Sequence, residues 1–380
     1  MTKDAQKIIL FTIPDFRGGG AERVFLNLIN NLNRDKFVIH IAVGELQGEY
    51  CKYLSNDITI HKLGSTHSIE SVIPMIKLVR NIKPNVVFAT LGYVVTISIS
   101  SLFFSKKIKI VSRFGNTISS FLDDVKRNSK IKYAFQFVLN KLSVHLSDVV
   151  IVQSNHMKND LIDTFSLDYI DKIIKINNPV DIENLYKNIK VIDLPTCIKF
   201  FFNQKKYIFV SVGRLDFQKN YKDLIQAFSI AHLSNRDIGL VILGEGGYRS
   251  DLERLSYQLG VNESVLIAGF IDNPEIVVSR ANCFVSSSLY EGMSNAILEA
   301  LSLGIPVIAT DCPSGIGEVI INRRSGFLVD LDQNLIEGLS DEMLAISTGE
   351  REIDLQEIKE MTRKSFDIKS VSKKYEEIFR

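Results

Sequence analysis

The 380-residue chain has no tryptophan, eight prolines and four cysteines, and its charges nearly cancel, with 45 Lys+Arg against 44 Asp+Glu. Each shortage excludes something. Cys51, Cys197, Cys283 and Cys312 are scattered, with no CxxC pair and no His–Cys cluster, so neither a zinc knuckle nor a disulfide scaffold is indicated. Three of them fall in or near apolar runs, and buried free thiols in a reducing compartment are the simplest expectation. A net charge of +1 gives no global attraction to nucleic acid. His40, His61, His67, His145, His156 and His232 show no HExxH-type spacing, so no metal is expected. The longest apolar tract, residues 91–104, contains three serines and a threonine, and it falls short of the roughly 20 residues a spanning helix needs. The apolar stretch at residues 8–13 is short and lacks a small-residue cleavage site, so no signal peptide is expected. These absences point to a cytoplasmic protein with at most peripheral membrane contact.

What is present is ordinary for a soluble globular protein: 46% hydrophobic and 23% charged residues. The length exceeds one typical core and fits two domains. Apolar runs predict strands at residues 8–13, 37–43, 58–61, 86–89, 109–112, 149–153 and 173–176. Helical spacing predicts helices between them, at 69–82, 93–103, 127–146 and 157–165 among others. A second series has strands at 207–212, 239–243, 264–268, 282–287, 305–309 and 327–329, with helices at 223–233, 250–259 and 274–280. This alternation implies parallel sheets covered by helices on both faces. The expected division is a first domain over 1–185, a connection over 186–206, a second domain over 207–365, and a last helix in 366–380 that packs on either half.

The most informative stretch is residues 290–306. A short apolar strand leads to Glu291 and Gly292, then to the polar turn Met293–Ser294–Asn295, then to a helix that Gly304 and Pro306 stop. Ser294 or Asn295 can serve as its N-cap. Glu299 stands in a helix apolar almost all round, where an unpaired carboxylate is costly, so a partner such as a row of ligand hydroxyls is expected. Glu291 lies at the helix's positive end, where backbone N–H groups suit an acidic or oxygen-rich ligand.

Other loops fall at the same sheet edge. Gly213, Arg214 and Lys219 follow the 207–212 strand, and the two cations can neutralise a diphosphate without a metal. Gly244 and Gly246 permit close backbone approach, while Phe270 and Ile271 can wall a nucleobase. In the first half, Gly18, Gly19 and Gly20 follow the first strand and open a helix, but they match neither GxGxxG nor a P-loop. The combination suits a nucleotide carrying a diphosphate and a polyol. From residue 125 to 147 there are five Lys/Arg residues and no acid, with aromatic and aliphatic residues interleaved. That pattern fits either a core helix with a solvated basic side or a surface for anionic lipid.

These motifs resemble glycosyltransferase family 4, retaining enzymes with the GT-B fold of two Rossmann-like, doubly wound domains facing across a cleft. The family's E-x7-E element is matched by Glu291 and Glu299, and its G-R-L…K-N element by Gly213, Arg214, Leu215, Lys219 and Asn220. Its N-terminal glycine loop resembles residues 18–22, and residues 178–180 and 311–315 are similar to members that build bacterial surface polysaccharides. The resemblance implies that Arg214 and Lys219 bind the donor diphosphate and stabilise the leaving group. It implies that Glu299 holds the ribose and Glu291 the donor sugar, helped by backbone N–H groups of Gly292, Met293, Ser294 and Asn295. The glycine loop would meet the donor from the other domain. Many members carry a sugar-contacting His in the first domain; this chain has no His in the comparable place, and Arg113, Asn116 or Thr117 would have to substitute.

The implied activity is transfer of a hexosyl or N-acetylhexosaminyl group from a nucleotide diphosphate sugar, UDP-linked by preference, to a lipid-linked or lipopolysaccharide or capsular saccharide. No cofactor is expected. A nucleotide-sugar epimerase, a phosphorylase-like enzyme on the same fold, and a non-catalytic partner subunit remain open alternatives.

Overall fold

Hydrophobic strands alternate with amphipathic helices along the chain. The computed structural model, which describes residues 6–17, 19–168, 170–320, 324–351 and 353–380, arranges them as two α/β units. One unit comprises Met1–Pro179 with Ile368–Arg380, the other Val180–Asp367.

The first unit holds strands β1 (Lys7–Ile13), β2 (Phe37–Val43), β3 (Thr59–Lys62), β4 (Val86–Thr90), β5 (Lys109–Arg113), β6 (Val149–Val152) and β7 (Ile173–Lys175). Its helices are α1 (Gly20–Asn31), α2 (Val72–Ile82), α3 (Tyr93–Ser101), α4 (Ile118–Asn128), α5 (Lys130–Leu146) and α6 (Asn155–Phe165). The second unit opens with α7 (Ile182–Val191) and α8 (Thr196–Asn203). It continues through β8 (Tyr207–Val212), α9 (Tyr221–Ser234), β9 (Ile238–Leu243), α10 (Arg249–Gln258), β10 (Val265–Gly269), α11 (Glu275–Val278) and β11 (Cys283–Ser286). It ends with α12 (Asn295–Ser302), β12 (Val307–Asp311), β13 (Gly326–Asp330), α13 (Leu335–Ser347) and α14 (Leu355–Phe366), and α15 (Ile368–Phe379) returns to the first unit.

Both sheets are parallel, in the orders β3-β2-β1-β4-β5-β6-β7 and β10-β9-β8-β11-β12-β13. Helices on both faces explain why β4, β6 and β9 are buried at every residue and read as unbroken apolar runs. The strand order reverses between β1 and β4 in one sheet and between β8 and β11 in the other. Such a reversal splays the following loops apart at the carboxyl edge and leaves a crevice for ligands.

Three sequence expectations change. The first unit ends at Pro179 rather than at 185, because residues 186–206 are not a loose connection. That stretch forms α7 and α8, whose apolar residues Leu185, Ile198 and Phe201 join the second unit's core. The helix expected over 127–146 is two helices: Ser129, in extended conformation, ends α4, and its hydroxyl accepts from the Lys132 N–H to start α5. All four cysteines are free, but only Cys283 and Cys312 are buried; Cys197 is exposed on α8. The final helix packs on the first sheet, where the fully buried Phe379 meets Phe11 and Phe88 edge-on at 5.7 and 6.0 Å.

Candidate active site

The loops leaving the second sheet are laced into one rim by backbone hydrogen bonds. Gly213 N–H donates to Leu243 (3.0 Å), Leu215 N–H to Glu245 (2.9 Å) and Gly244 N–H to Gly269 (2.8 Å), joining the loops after β8, β9 and β10. Leu289 N–H donates to Gln218 (2.8 Å) and Glu291 N–H to Pro313 (3.2 Å), joining the loops after β8, β11 and β12. Gly244 is required here: its φ is +152°, and a Cβ would strike the Gly213 carbonyl. Gly213 is needed for a different reason, since a Cβ there would sit 2.8 Å from Lys219 Cε and 2.9 Å from the Tyr221 hydroxyl.

At the order reversal, the loops after β8 and β11 bring Lys219 and Glu291 together. Lys219 Nζ donates to Glu291 Oε1 in an ion pair whose side chains are 17% and 9% exposed. Ser288 Oγ donates to the same oxygen at 2.9 Å, and the Ser288 carbonyl is itself held by Thr310 Oγ1 at 2.5 Å. Ser287 Oγ donates to the Lys219 and Asn220 carbonyls at 2.8 and 3.1 Å, which fixes the backbone that carries Lys219. A buried carboxylate with one cation and one hydroxyl on it is oriented, and it holds the ammonium in place in turn.

The two acids therefore differ in environment, and the one inside the helix is not the more buried. Glu291 is the buried one, 7% exposed. Glu299 is half-buried, because Asn295, Ala296 and Glu299 share the partly open face of the short α12, while Ile297, Leu298, Ala300 and Leu301 fill the core. Ser294 is the N-cap of α12, without a side-chain cap bond, and Met293 is buried beside it.

Arg214 lies on the same loop as Lys219, but its side chain is 71% exposed and pairs with Asp216 at 3.3 Å. The Asp216 carboxylate also accepts the Lys219 N–H at 3.2 Å, so it organises both cations. Gln218 ties the loop to its neighbour by donating from Nε2 to the Tyr290 carbonyl at 2.9 Å. Phe270 is exposed and Ile271 half-buried beyond β10, at the base of which Arg249 bridges Glu245 and the Ile267 carbonyl at 2.7 and 3.0 Å. Asp216, Gln218, Ser288 and Thr310 carry no signal in the sequence, since single polar residues in loops or at the end of a strand show no periodicity.

In the first unit the glycine loop follows β1 at that sheet's own order reversal. Gly19 is the N-cap of α1 and Gly20 its first residue, while Gly18 lies outside the described residues. Asn116 is exposed in the loop before α4. That helix is capped from elsewhere: Asp160 Oδ2 accepts the Ile118 and Ser119 N–H groups at 2.7 and 3.1 Å.

Arg113, expected to reach a sugar, is instead 3% exposed. Its side chain shares the β5 face of Val111, the face that α15 covers, so it turns inward. Its Nη2 donates to Asn178 Oδ1 at 2.6 Å and its Nη1 to Thr90 Oγ1 at 3.4 Å. Burial pushes the nearby Tyr375 hydroxyl up, and the Arg113 charge opposes that. As placed, Arg113 fixes the turn before Pro179.

Among the described residues no group of three His, Cys, Asp or Glu side chains is arranged to hold a metal ion. Burial raises the Cys312 thiol to about 11, so it is a neutral packing group beside the rim.

Comparison with known proteins accounts for both units. Residues 18–184 match the family described as Glycosyltransferase Family 4, and residues 198–364 match Glycosyl transferases group 1. A Campylobacter jejuni protein named as an N-acetylgalactosamine-N,N'-diacetylbacillosaminyl-diphospho-undecaprenol 4-alpha-N-acetylgalactosaminyltransferase is 30% identical over 88% of this chain and 89% of its own length. An Escherichia coli UDP-Gal:alpha-D-GlcNAc-diphosphoundecaprenol alpha-1,3-galactosyltransferase is 25% identical over 82% and 81%. The crystal structure of Anabaena HepE with UDP-glucose superposes with a TM-score of 0.78 at 18% identity, covering 98% of this chain and 99% of that one.

Proposed function

The chain belongs to glycosyltransferase family 4, with the GT-B fold and relatives in bacterial surface-polysaccharide synthesis, and on that premise we propose that it is a retaining transferase using a UDP-sugar. In this reading it moves a hexosyl or N-acetylhexosaminyl group to a lipid-linked saccharide at the inner face of the cytoplasmic membrane. The acceptor class follows the relatives whose names specify diphospho-undecaprenol saccharides. The observation that carries the reading is the Lys219–Glu291 contact at the order reversal of the second sheet.

An ammonium has three N–H donors, and Glu291 takes one. The others are available to the donor diphosphate as its leaving oxygen gains charge. Arg214 releases Asp216 at little cost, since exposed ion pairs are weak, and its planar fork joins the same oxygens. Glu291 presents its carboxylate to hydroxyls of the transferred sugar, beside Gly292, Met293 and Ser294. Glu299, half-open on α12, takes the ribose hydroxyls, and Phe270 and Ile271 flank the base. No protein nucleophile is required: the acceptor hydroxyl attacks from the face the diphosphate leaves, and its proton passes to the departing oxygen. The protein supplies positioning and charge stabilisation. Two cations stand in for a divalent ion, so the reaction is metal-independent.

The test is nucleotide release from a panel of UDP- and GDP-sugars with a lipid-linked acceptor, followed by NMR assignment of the new linkage. A UDP-sugar is consumed with its anomeric configuration retained, and chelator leaves the rate intact. An inverted product, or free epimerised nucleotide sugar without acceptor, overturns the proposal; loss on chelation restored by Mg²⁺ overturns its metal-free part.

A further inference from the structure

The loop after β5, residues 114–117, buries all but one of its side chains. Phe114 and Thr117 are 7% and 0% exposed, and Asn116 stands exposed at the tip beside half-buried Gly115. The start of the loop is pinned to β6, where Phe114 N–H donates to the Ile151 carbonyl at 3.1 Å. Its end is pinned by Asp160, whose Oδ2 accepts the first two helical N–H groups of α4. This second anchor is unusual in its origin. Helices α5, α6, α7 and α14 are capped by Ser129, Ser154, Asp181 and Asp354, each the residue before its own helix. Thr117 stands in that place before α4 and is of a favoured capping type, yet its side chain makes no cap bond. The cap comes instead from the middle of α6, whose Met157, Leu161 and Phe165 are buried in the core. A carboxylate carried by a packed helix holds a loop more firmly than one carried by the loop itself.

We infer that Asp160 is a positioning residue of the transferase, which holds Asn116 against a hydroxyl of a sugar. Charge decides the chemical class of that contact. A helix N-terminus left open attracts anions, but at α4 the Asp160 carboxylate already occupies it. The one cation next to the loop, Arg113, turns inward to Asn178 and Thr90. What the loop offers a ligand is the neutral Asn116 amide, which both donates and accepts, as a hydroxyl does. A phosphate or a carboxylate would meet no compensating charge on this loop, and the Asp160 charge would repel it. The inference rests on the proposed function, since it assigns one contact within that reaction.

The test compares wild type, Asp160→Ala, Asp160→Asn, Asn116→Ala and Asp160→Ala/Asn116→Ala as full chains. The readouts are UDP affinity by calorimetry and kcat for the UDP-sugar that the wild type consumes with its lipid-linked acceptor. Asp160→Ala frees the loop, and kcat falls about 10-fold or more. Asp160→Asn keeps a carbonyl oxygen for the two N–H groups and recovers most of the rate. Asn116→Ala, at an exposed tip, folds whatever Asp160→Ala does, and it lowers kcat by at least as much. The double variant is no slower than Asn116→Ala, because Asp160 acts through that side chain. UDP affinity, which needs no sugar contact, is unchanged in every variant. A normal rate in Asp160→Ala or in Asn116→Ala overturns the inference. So does a double variant whose losses multiply, which makes Asp160 a structural cap only. Weaker UDP binding in Asn116→Ala also overturns it, since the loop then meets the nucleotide. A wild type that transfers no sugar overturns the proposed function and this inference together, whereas an active wild type with normal variants overturns this inference alone.

Discussion

Removing the Lys219 side chain tests the site most directly, because stability and catalysis should respond together. In Lys219→Ala the Glu291 carboxylate keeps Ser288 but loses its cation in surroundings where the side chain is 9% exposed. Stranding a buried charge by deleting its partner costs about 3 kcal/mol. For a domain of this size that lowers the melting temperature of the second unit by about 6–12 °C. The same change removes a donor aimed at the leaving diphosphate, so kcat/KM falls about 10²–10³-fold. Glu291→Gln keeps an acceptor for Ser288 and strands only the better-solvated ammonium, so it costs less stability. In Lys219→Ala/Glu291→Gln no charge is stranded, and the double variant is more stable than the sum of the singles by at least about 1 kcal/mol. Calorimetry on the four proteins gives the coupling, and nucleotide release gives the rates. Effects that add to within about 0.5 kcal/mol would refute the pairing; an unchanged kcat/KM in Lys219→Ala would refute the catalytic role.

The remaining predictions concern the rest of the fold. His40 and His61 stack on adjacent strands with Nδ1 and Nε2 2.9 Å apart, and burial, with mutual repulsion at His40, lowers their pKa values. Below about pH 6.5 the unfolded chain therefore binds protons that the folded chain does not. The first unit's melting temperature falls as pH drops through that window and levels off below the folded pKa values; His61→Gln flattens the slope, and an unchanged slope counts against it. Arg113→Gln lowers the melting temperature of the first unit, while the exposed Asn116→Ala leaves it alone and lowers kcat/KM if that loop meets substrate; equal melting curves for Arg113→Gln and wild type contradict its buried placement. Gly244→Ala costs at least about 2 kcal/mol through strain at its φ and collision with Gly213, read as a lower urea midpoint.

How much of this was legible depended on whether a residue's neighbours in sequence were also its neighbours in space. Strands such as β4 and β9 lie where their apolar runs predicted, because a strand buried on both faces cannot be polar. The E-x7-E spacing was visible because strand, loop and helix are consecutive. The break at Ser129 was not, since a serine inside a basic, amphipathic stretch does not distinguish one helix from two. Nor were α7 and α8, whose exposed sides outnumber the few apolar residues that anchor them. The burial of Arg113 was not legible, because arginine is seldom buried. Only the pairing of Thr90, Arg113 and Asn178, drawn from three distant segments, shows otherwise.

The contrast between Glu291 and Glu299 carries the more general point. A carboxylate inside an apolar helix looked like the buried one. The reverse holds because α12 is short and one face of it stays open, whereas the loop before it is pressed between β11, β12 and the Lys219 loop. A half-open acid suits hydroxyls that arrive with a ligand and leave with it. A buried acid already holding an ammonium suits a permanent role, since it keeps Lys219 aimed where charge develops and presents its own charge to the transferred sugar. Ser288 follows as the residue that keeps this pair in register, because its hydroxyl reaches the very oxygen that Lys219 binds. Ser288→Ala should therefore lower kcat with little change in donor KM, since the binding groups remain while their alignment loosens, and Ser288→Thr, which restores the hydroxyl, should recover it. A rise in KM alone would mean that Ser288 serves binding, and that the alignment of Lys219 and Glu291 does not depend on it.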